Sequence, residues 1–178
     1  MVDGFIQDAR PGSGYFLGQK ITELLHSAEN KILIGVTYAL LDLQFVSSKS
    51  LTVIETGGMK GRKKEITRDD LHMQLKSKLG TEEIWSEYGM TELLSQAYGL
   101  NGKFKFPDWA TVRIREINDP FAYPSPGKTG GINIVDLANV ESCAFIETKD
   151  LGIMQKNGQF EVLGRFDNSD VRGCSLLI

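Results

Sequence analysis

The sequence lacks any long hydrophobic run. No stretch approaches the ~18 consecutive apolar residues that a membrane-spanning helix requires. The first residues, MVDGFIQDARPGSG, contain an early acid and no apolar core of the kind found in secretory signals. We therefore expect no membrane span, and the cytoplasm is the expected location.

Cysteine and histidine are scarce, with two of each among 178 residues. Cys143 and Cys174 do not form a CxxC pair, and both histidines lie far earlier in the chain, which argues against a structural zinc site. A reducing compartment argues against a disulfide. There is also no excess of positive charge, since the net charge is -3. Nucleic acid is therefore not expected as the main partner.

What the sequence does contain is the composition of an ordinary globular protein. Hydrophobic residues make up 41% of the chain and charged residues 24%. The length suits one domain, or one domain with a small appendage, and it is sufficient to bury a sizeable core.

The first half of the chain alternates between helical and strand patterns. Apolar spacing predicts a helix within residues 15–28, and a second helix begins after an N-cap at Thr67 and ends at Gly80. Between and after these helices lie short apolar or β-branched segments that are typical of buried strands. Strands separated by helices in this way predict parallel pairing. The predicted strands are residues 31–38, 51–56 and 83–89, while residues 39–46 fit either helix or strand.

The pattern changes after Gly99, where prolines and glycines become frequent and short strand-like segments follow. Lys156-Asn157-Gly158 predicts a hairpin. We therefore place a boundary near residue 102, between an α/β part (1–102) and a β-rich part (103–178). The expected fold is α/β, with a partial parallel or mixed sheet, flanking helices and a small β-rich, barrel-like subdomain. The predicted strands of the second part are residues 111–117, 131–137, 142–148 and 160–166.

The segment EYGMTE, residues 87–92, joins a predicted strand to a run with helical spacing. If a nucleotide binds here, Tyr88 could stack on a base, Thr91 could bond a phosphate oxygen and Glu92 could hold a magnesium ion. Each residue also has a purely structural interpretation. A tyrosine at a strand end commonly packs in a core, and Glu92 in the first turn of a helix complements the helix dipole. The residues alone leave both interpretations open.

Other stretches allow the same two interpretations. Glycines in TGGMKGRKK, residues 56–64, either let a ligand approach the backbone or form a surface turn beside a solvated basic run. Asp150 in ETKDLG could accept bonds from ribose hydroxyls or close an Asx turn. Arg165 in EVLGRFDNSD could reach a ligand from a hinge or simply lie where a strand ends. His72 is interpreted as a surface or packing residue.

In their order and spacing, these segments resemble the adenylate-forming superfamily of acyl-CoA synthetases, luciferases and peptide-synthetase adenylation domains. Within it, ETGGMKGRKKEITRDDLH, SEYGMTELLSQAY and the final GRFDNSDVRGCSLLI look most like the acyl-protein synthetase of the bacterial luminescence fatty-acid reductase. The resemblance covers residues 50–178. The matching segments are Gly57-Gly58, Tyr88 to Glu92, Thr148 to Gly152, and Gly164 to Asp167.

The resemblance implies a ligase that uses ATP and Mg²⁺. Such an enzyme forms a fatty acyl-adenylate and AMP, and it then transfers the acyl group to its own cysteine. Cations and hydrogen-bond donors would stabilise the charge that develops at the attacked phosphorus. The implied adenine contacts are Gly57, Gly58 and Tyr88, and Gly89 is a further cofactor-binding residue. Thr91 would contact the α-phosphate or the acyl carboxylate, and Glu92 would bind magnesium. Asp150 would contact the ribose, and Arg165 would add a charge-assisted bond near the ribose or phosphate.

Two features of the superfamily have no counterpart here. Nothing in residues 1–50 resembles the loop that holds the outgoing pyrophosphate, and no mobile C-terminal domain with a catalytic lysine follows the hinge. The chain therefore looks like the C-terminal half of such an enzyme, and its activity alone stays open. The alternatives are a non-catalytic binding or assembly fragment that keeps the AMP-binding fold, and an acyltransferase that uses only the cysteine.

Cys174, in DVRGCSLLI, is the acyl-accepting residue that the resemblance implies, and Arg172 would favour its thiolate. Its structural alternative is that CSLLI packs as a last strand. Cys143 is expected to be a buried small hydrophobe. The expected partners are a fatty acid or acyl donor and an acyl reductase or transferase protein. Half of a sheet exposes an edge and apolar faces, so we also expect a homo-oligomer.

Overall fold

The structure is a computed structural model that describes residues 2–16, 20–25, 30–43, 50–57 and 67–166. None of the helices in these ranges is long and apolar enough to cross a membrane. The elements are α1 (Val2–Gln7), α2 (Lys20–Leu25), β1 (Lys31–Val36), α3 (Thr37–Asp42), β2 (Leu51–Thr56), α4 (Arg68–Leu79), β3 (Ile84–Tyr88), β4 (Ala97–Leu100), β5 (Lys103–Lys105), β6 (Ala110–Arg115), β7 (Thr129–Asp136), a 3-10 helix (Leu137–Asn139), β8 (Phe145–Met154) and β9 (Phe160–Arg165).

The strands form one open sheet in the order β1-β2-β3-β4-β5-β9-β8-β7-β6. Strands β1, β2 and β3 pair in parallel, and every later pair in this order is antiparallel. This confirms the expected α/β fold with a mixed sheet. Because β2 and β3 are parallel, their carboxyl ends lie at the same edge of the sheet.

Helix α4 begins and ends where the sequence predicts. Thr67 Oγ1 accepts a hydrogen bond from the backbone N–H of Asp70 at 3.2 Å. Gly80 closes the helix with a φ of 64°, in the left-handed conformation that glycine favours. Leucines four residues apart cover the helix face that is turned to the sheet. The cluster on this face contains Leu71, Leu75, Leu79, Val53 and Ile84.

The buried hydrophobic residues form two clusters along the sheet. The first joins helices to β1, β2 and β3 and includes residues from Leu25 to Ile84. The second lies among the antiparallel strands and includes residues from Tyr88 to Val162. The change from one cluster to the other therefore falls within β3. The sheet continues through both clusters, and the boundary near residue 102 stays a prediction.

The prediction of a helix after Glu92 is wrong. Residues 89–96 form turns and bends, and β4 then pairs antiparallel with β3, with Ala97 opposite Tyr88. Burial along β4 alternates, so the segment has the two-residue period of a strand at this point. Pairing with β3 outweighs the local helical spacing, which is a weak determinant by itself.

The other predicted strands are found near their expected positions. Strands β6, β7 and β9 coincide with predicted segments to within about two residues, the ordinary uncertainty of element boundaries. The ambiguous segment 39–46 lies partly in the described residues, where α3 shows that its start is helical. Strand β8 begins at Phe145, later than expected, because the residues before it form a turn after the 3-10 helix.

A buried carboxylate, Asp136, holds the turns that follow β3. Its oxygens accept hydrogen bonds from the N–H groups of Leu94 at 3.0 Å, Ser95 at 2.9 Å and Ala138 at 3.1 Å, and from Ser95 Oγ at 2.7 Å. Burial alone would raise the pKa of this carboxyl. The hydrogen bonds from Ser95, Ala138 and Leu94 outweigh burial and lower the pKa below its ordinary value of 3.8. The ionised carboxylate therefore stabilises the fold.

We predict that Asp136→Asn lowers the free energy of unfolding by about 2–3 kcal/mol at neutral pH, because a neutral amide accepts hydrogen bonds more weakly than a carboxylate. The pKa of this carboxyl is lower in the folded state than in the unfolded state. Its contribution to stability is therefore fully present above the unfolded-state pKa, and it is lost as the pH falls through the folded-state pKa. The difference between wild type and variant should therefore shrink below pH 3.8.

Urea unfolding followed over a range of pH measures this difference. Asp119→Asn is the matched control, since the exposed Asp119 accepts one N–H, from Phe121 at 3.0 Å, and should change stability little. A difference for Asp136→Asn that is independent of pH would contradict the assigned role of the charge.

Candidate nucleotide-binding site

The ends of two parallel strands bring two predicted glycines to one edge of the sheet. Gly57 follows β2 and Gly89 follows β3, and open α/β sheets bind ligands at the carboxyl ends of their strands. Gly57 is buried and has a φ of 72°, a conformation that favours glycine. A Cβ added to Gly89 would lie 2.4 Å from Glu87 Oε1, so a larger residue would require the Glu87 side chain to shift. Gly58 lies outside the described residues.

Three predicted site residues from distant parts of the chain meet at Asp150. The hydroxyl of Tyr88 donates a hydrogen bond to Asp150 Oδ2 at 2.7 Å. Arg165 Nε lies 3.5 Å from Asp150 Oδ1, and the two residues are register partners in β8 and β9. Asp150 is 4% exposed. The carboxylate therefore joins the last residue of β3 to the last residue of β9.

The ring of Tyr88 lies inside an aromatic cluster. Its centroid is 6.0 Å from that of Phe104, 6.4 Å from that of Phe106 and 5.6 Å from that of Phe160. The residue is 4% exposed, so neither face of the ring is open for stacking in this arrangement. Burial and the neighbouring Asp150 carboxylate raise the pKa of the Tyr88 hydroxyl, which therefore stays a neutral donor. The predicted adenine contact requires a movement at this cluster and stays a prediction.

The side chains of Thr91 and Glu92 are exposed in the turn after β3. Their backbone is fixed nevertheless, because Asn139 Nδ2 donates to the carbonyl of Glu92 at 2.8 Å and Asp136 holds the residues that follow. This combination of a fixed backbone and accessible oxygen atoms suits contacts with a phosphate or a hydrated cation.

Arg115 is a residue of this region that sequence reasoning missed. Its guanidinium donates to the carbonyls of Ile132 at 3.2 Å and Thr148 at 2.9 Å, and it is 6% exposed. It lies across Gly131, where a Cβ would be 2.3 Å from the guanidinium carbon. Thr148 Oγ1 in turn accepts the N–H of Asp150 at 3.1 Å. Arg115 therefore fixes the strand that carries Asp150. The adjacent glycines Gly130 and Gly131 in β7 were the sequence feature that could have indicated a close contact at this point.

Partly buried charges lie near the ends of β2 and β3. Burial raises the pKa of Glu87, against a hydrogen bond from the Thr56 hydroxyl that lowers it. Burial lowers the pKa of Arg68, against the attraction of Glu55. Within the described parts of the chain, no group of three or more His, Cys, Asp and Glu residues could hold a metal ion.

The two cysteines differ in how far the structure describes them. The expectation that Cys143 is a buried hydrophobe is wrong, because it is exposed in the turn before β8. Its Sγ lies 3.4 Å from the carbonyl oxygen of Phe145. Because Cys143 precedes the paired part of β8, its side chain is not directed into the hydrophobic core. Cys174 lies outside the described residues.

Solved structures with a similar fold include ATP-bound MatB from Rhodopseudomonas palustris, with a TM-score of 0.56 and 18% identity over 82% of this chain and 32% of that chain. O-succinylbenzoate coenzyme A synthetase (MenE) from Bacillus subtilis, in complex with ATP and magnesium ion, has a TM-score of 0.54 and 19% identity over 80% of this chain and 34% of that one. A luciferase-like enzyme from the nonluminescent mealworm Zophobas morio has a TM-score of 0.56 and 14% identity over 85% of this chain and 42% of that chain. At these identities the likeness shows the fold alone.

The chain spans 32% to 42% of the length of these three proteins. A comparison with curated proteins found no match. The family model described as "Acyl-protein synthetase, LuxE" matches residues 4–178, which is nearly the whole sequence. The predicted resemblance is thereby confirmed, and the chain belongs to the LuxE acyl-protein synthetase family.

Proposed function

We propose that this chain is the C-terminal part of an ATP-dependent fatty acyl-protein synthetase that forms an acyl-adenylate and transfers the acyl group to its own Cys174. The observation that carries the proposal is the meeting of Tyr88 and Arg165 at the Asp150 carboxylate. These residues were assigned to one nucleotide site from segments far apart in the sequence. Family membership and the ATP-bound structures of similar fold support the same assignment.

The nucleotide would lie at the carboxyl edge of β2 and β3, with its adenine near Gly57, Gly58, Gly89 and Tyr88. Asp150 would accept bonds from the ribose hydroxyls, since a carboxylate has about four acceptor positions and its present contacts leave some of them unused. Access requires movement, because Asp150 is buried. We assign that movement to the side chain of Arg165, which is 25% exposed and covers Asp150 from the solvent side.

In the first step, a carboxylate oxygen of the fatty acid attacks the α-phosphorus of ATP, the bond to pyrophosphate breaks, and an acyl-adenylate forms. Thr91 would hold the α-phosphate or the acyl carboxylate, and Arg165 would add a charge-assisted bond. In the second step, the Cys174 thiolate attacks the acyl carbonyl, a thioester forms, and AMP leaves with the electron pair of the broken bond.

Glu92 would hold the magnesium ion that neutralises charge on the phosphates. The donor set fits such an ion, because magnesium in nucleotide sites usually takes one or two protein carboxylates and completes its shell with phosphate oxygens and water. Glu92 is exposed on a fixed backbone, so its carboxylate can reach a phosphate-bound ion without displacing other residues.

A binding or assembly fragment without catalytic activity is the second candidate. The buried ring of Tyr88 favours it, because neither face of the ring is open to a base in this arrangement. Titration with AMP and with ATP plus magnesium, together with a pyrophosphate-exchange assay, separates the two. AMP binding without exchange supports the fragment, and absence of any nucleotide binding contradicts both candidates. Acyl transfer to cysteine without nucleotide binding would support an acyltransferase.

The proposed partners are a fatty acid or another acyl donor, and a reductase or transferase protein that takes the acyl group from Cys174. We propose the cytoplasm as the location. We also propose a homo-oligomer, because β1 is at the end of the strand order among the described residues and Ile32 on that strand is 62% exposed.

We predict that Glu92→Gln weakens binding of ATP with magnesium about tenfold and leaves AMP binding nearly unchanged, because the ion and the outer phosphates are absent with AMP. Calorimetric titration with both ligands measures this. Glu82→Gln is the matched control, since Glu82 is also exposed but lies before β3, at the opposite end of the strand. Equal losses for both ligands would instead assign Glu92 a structural role.

We predict that an activated acyl donor modifies Cys174 and that Cys174→Ser abolishes the hydroxylamine-labile product. Digestion and mass spectrometry locate the acyl group. Cys143→Ser is an essential control, because Cys143 is exposed and offers a competing thiol. Acylation that is lost in Cys143→Ser but kept in Cys174→Ser would refute the role of Cys174.

We predict a dimer or larger assembly in dilute solution that Ile32→Lys dissociates, since a lysine on an edge strand opposes pairing between chains. Light scattering gives the molecular mass. Met73→Lys, at a residue 65% exposed on α4, is the matched control and should leave the assembly intact. A wild-type monomer would contradict the prediction.

A further inference from the structure

A buried polar network lies beneath the end of β2. Leu51 and Val53 face the core from this strand, and the two-residue period places Glu55 on the same buried face. Glu55 is 4% exposed, and its Oε1 lies 3.8 Å from Nε2 of His72 on α4. The same nitrogen lies 3.2 Å from the hydroxyl oxygen of Ser86 on β3. The network thus joins β2, β3 and α4 at a position where an apolar residue is expected.

Thr37, the first residue of α3, links this network to Gly57. It is fully buried, and its hydroxyl lies 3.1 Å from Glu55 Oε2. The same hydroxyl donates to the carbonyl oxygen of Gly57. A hydroxyl has one proton to donate, so the two acceptors share it. The Gly57 carbonyl is therefore directed towards the protein interior at the point where the chain turns out of β2 with a left-handed φ.

A carboxylate at this place is costly for stability. Removing charge from water is unfavourable even when partners are present, and well-packed apolar residues often stabilise a fold as much or more. The arrangement does, however, determine one backbone conformation, because each group has a defined hydrogen-bond direction.

We propose that Thr37 and Glu55 are positioning residues for the nucleotide site. The Thr37 hydroxyl fixes the Gly57 carbonyl inward and so sets the backbone conformation of this buried glycine, against which adenine would lie, and Glu55 holds that hydroxyl in place. The inference rests on the proposed function, in which adenine lies against Gly57. It predicts that AMP affinity depends on a hydroxyl that the nucleotide does not touch.

The test compares AMP affinity in three variants. Thr37→Val removes the hydroxyl with little change of shape, and it should raise the AMP dissociation constant about tenfold. Thr37→Ser restores the hydroxyl and should bind AMP as wild type does. Thr81→Val is the matched control: Thr81 is also buried and donates to a backbone carbonyl of β2, that of Leu51 at 2.7 Å, but at the opposite end of the strand. It should lose similar stability and keep AMP affinity.

The outcomes separate the inference from the proposed function. Equal AMP affinity in Thr37→Val and Thr37→Ser, or equal losses in Thr37→Val and Thr81→Val, would overturn the positioning role while the nucleotide site stands. A wild-type chain that binds no AMP overturns the proposed function and this inference with it.

A second measurement does not require AMP. Amide hydrogen exchange followed by mass spectrometry should show faster exchange in the peptide that contains the end of β2 in Thr37→Val, but not in Thr37→Ser. If Thr37→Val does not fold, Glu55→Gln replaces it. That variant keeps an acceptor for Thr37 but removes the charge, and it should show faster exchange in the same peptide and weaker AMP binding by about threefold. Exchange and affinity at the wild-type level in Glu55→Gln would overturn the inference.

Discussion

One buried carboxylate connects the two kinds of strand pairing in this protein. Asp150 lies on an antiparallel strand, and it accepts a hydrogen bond from Tyr88 at the end of a parallel strand. Arg165 contacts its other oxygen. Because a buried carboxylate that loses a partner is strongly destabilising, the relative placement of β3, β8 and β9 depends on these contacts. The proposed nucleotide site lies where β3 and β9 end, so its geometry depends on the same carboxylate.

Burial gives this region a second property. It raises the pKa of Glu87 and lowers the pKa of Arg68, so both groups are shifted towards their neutral forms. Both charged groups are therefore partly withdrawn from water near the ends of β2 and β3. A nucleotide brings its own phosphates, and in the proposed arrangement the exposed residues after β3 would meet them. Binding of the base and binding of the phosphates would then rely on different physical interactions.

Local sequence patterns were sufficient to predict the elements that depend on nearby residues or on a simple hydrophobic period. The cap at Thr67, the left-handed Gly80 and the leucines between them define α4 completely. The strand expected at residues 83–89 appears as β3, and it pairs with β2 in the parallel direction that the sequence predicted. Spacing of known motifs also indicated that Tyr88, Asp150 and Arg165 belong together, and the structure brings these three into contact.

Interactions between distant residues explain what local patterns did not predict. The segment after Glu92 is held in a non-helical conformation because Asp136, about forty positions later, accepts the N–H groups of Leu94 and Ser95. The exposure of Cys143 follows from a turn whose position depends on where β7 and β8 pair. The buried network of Glu55 and Thr37 requires α3, α4 and two strands to be assembled before it can be recognised.

The contact of Arg115 with Gly131 has a consequence for how this family can diverge. The guanidinium occupies the space that a side chain at position 131 would need, and it satisfies the carbonyl of Thr148 from that space. Any larger residue at 131 would expel the arginine and leave that carbonyl without its buried donor. A smaller residue at 115 would leave an empty volume above the glycine. We therefore expect positions 115 and 131 to change together during evolution, because a substitution at only one of them would destabilise the fold.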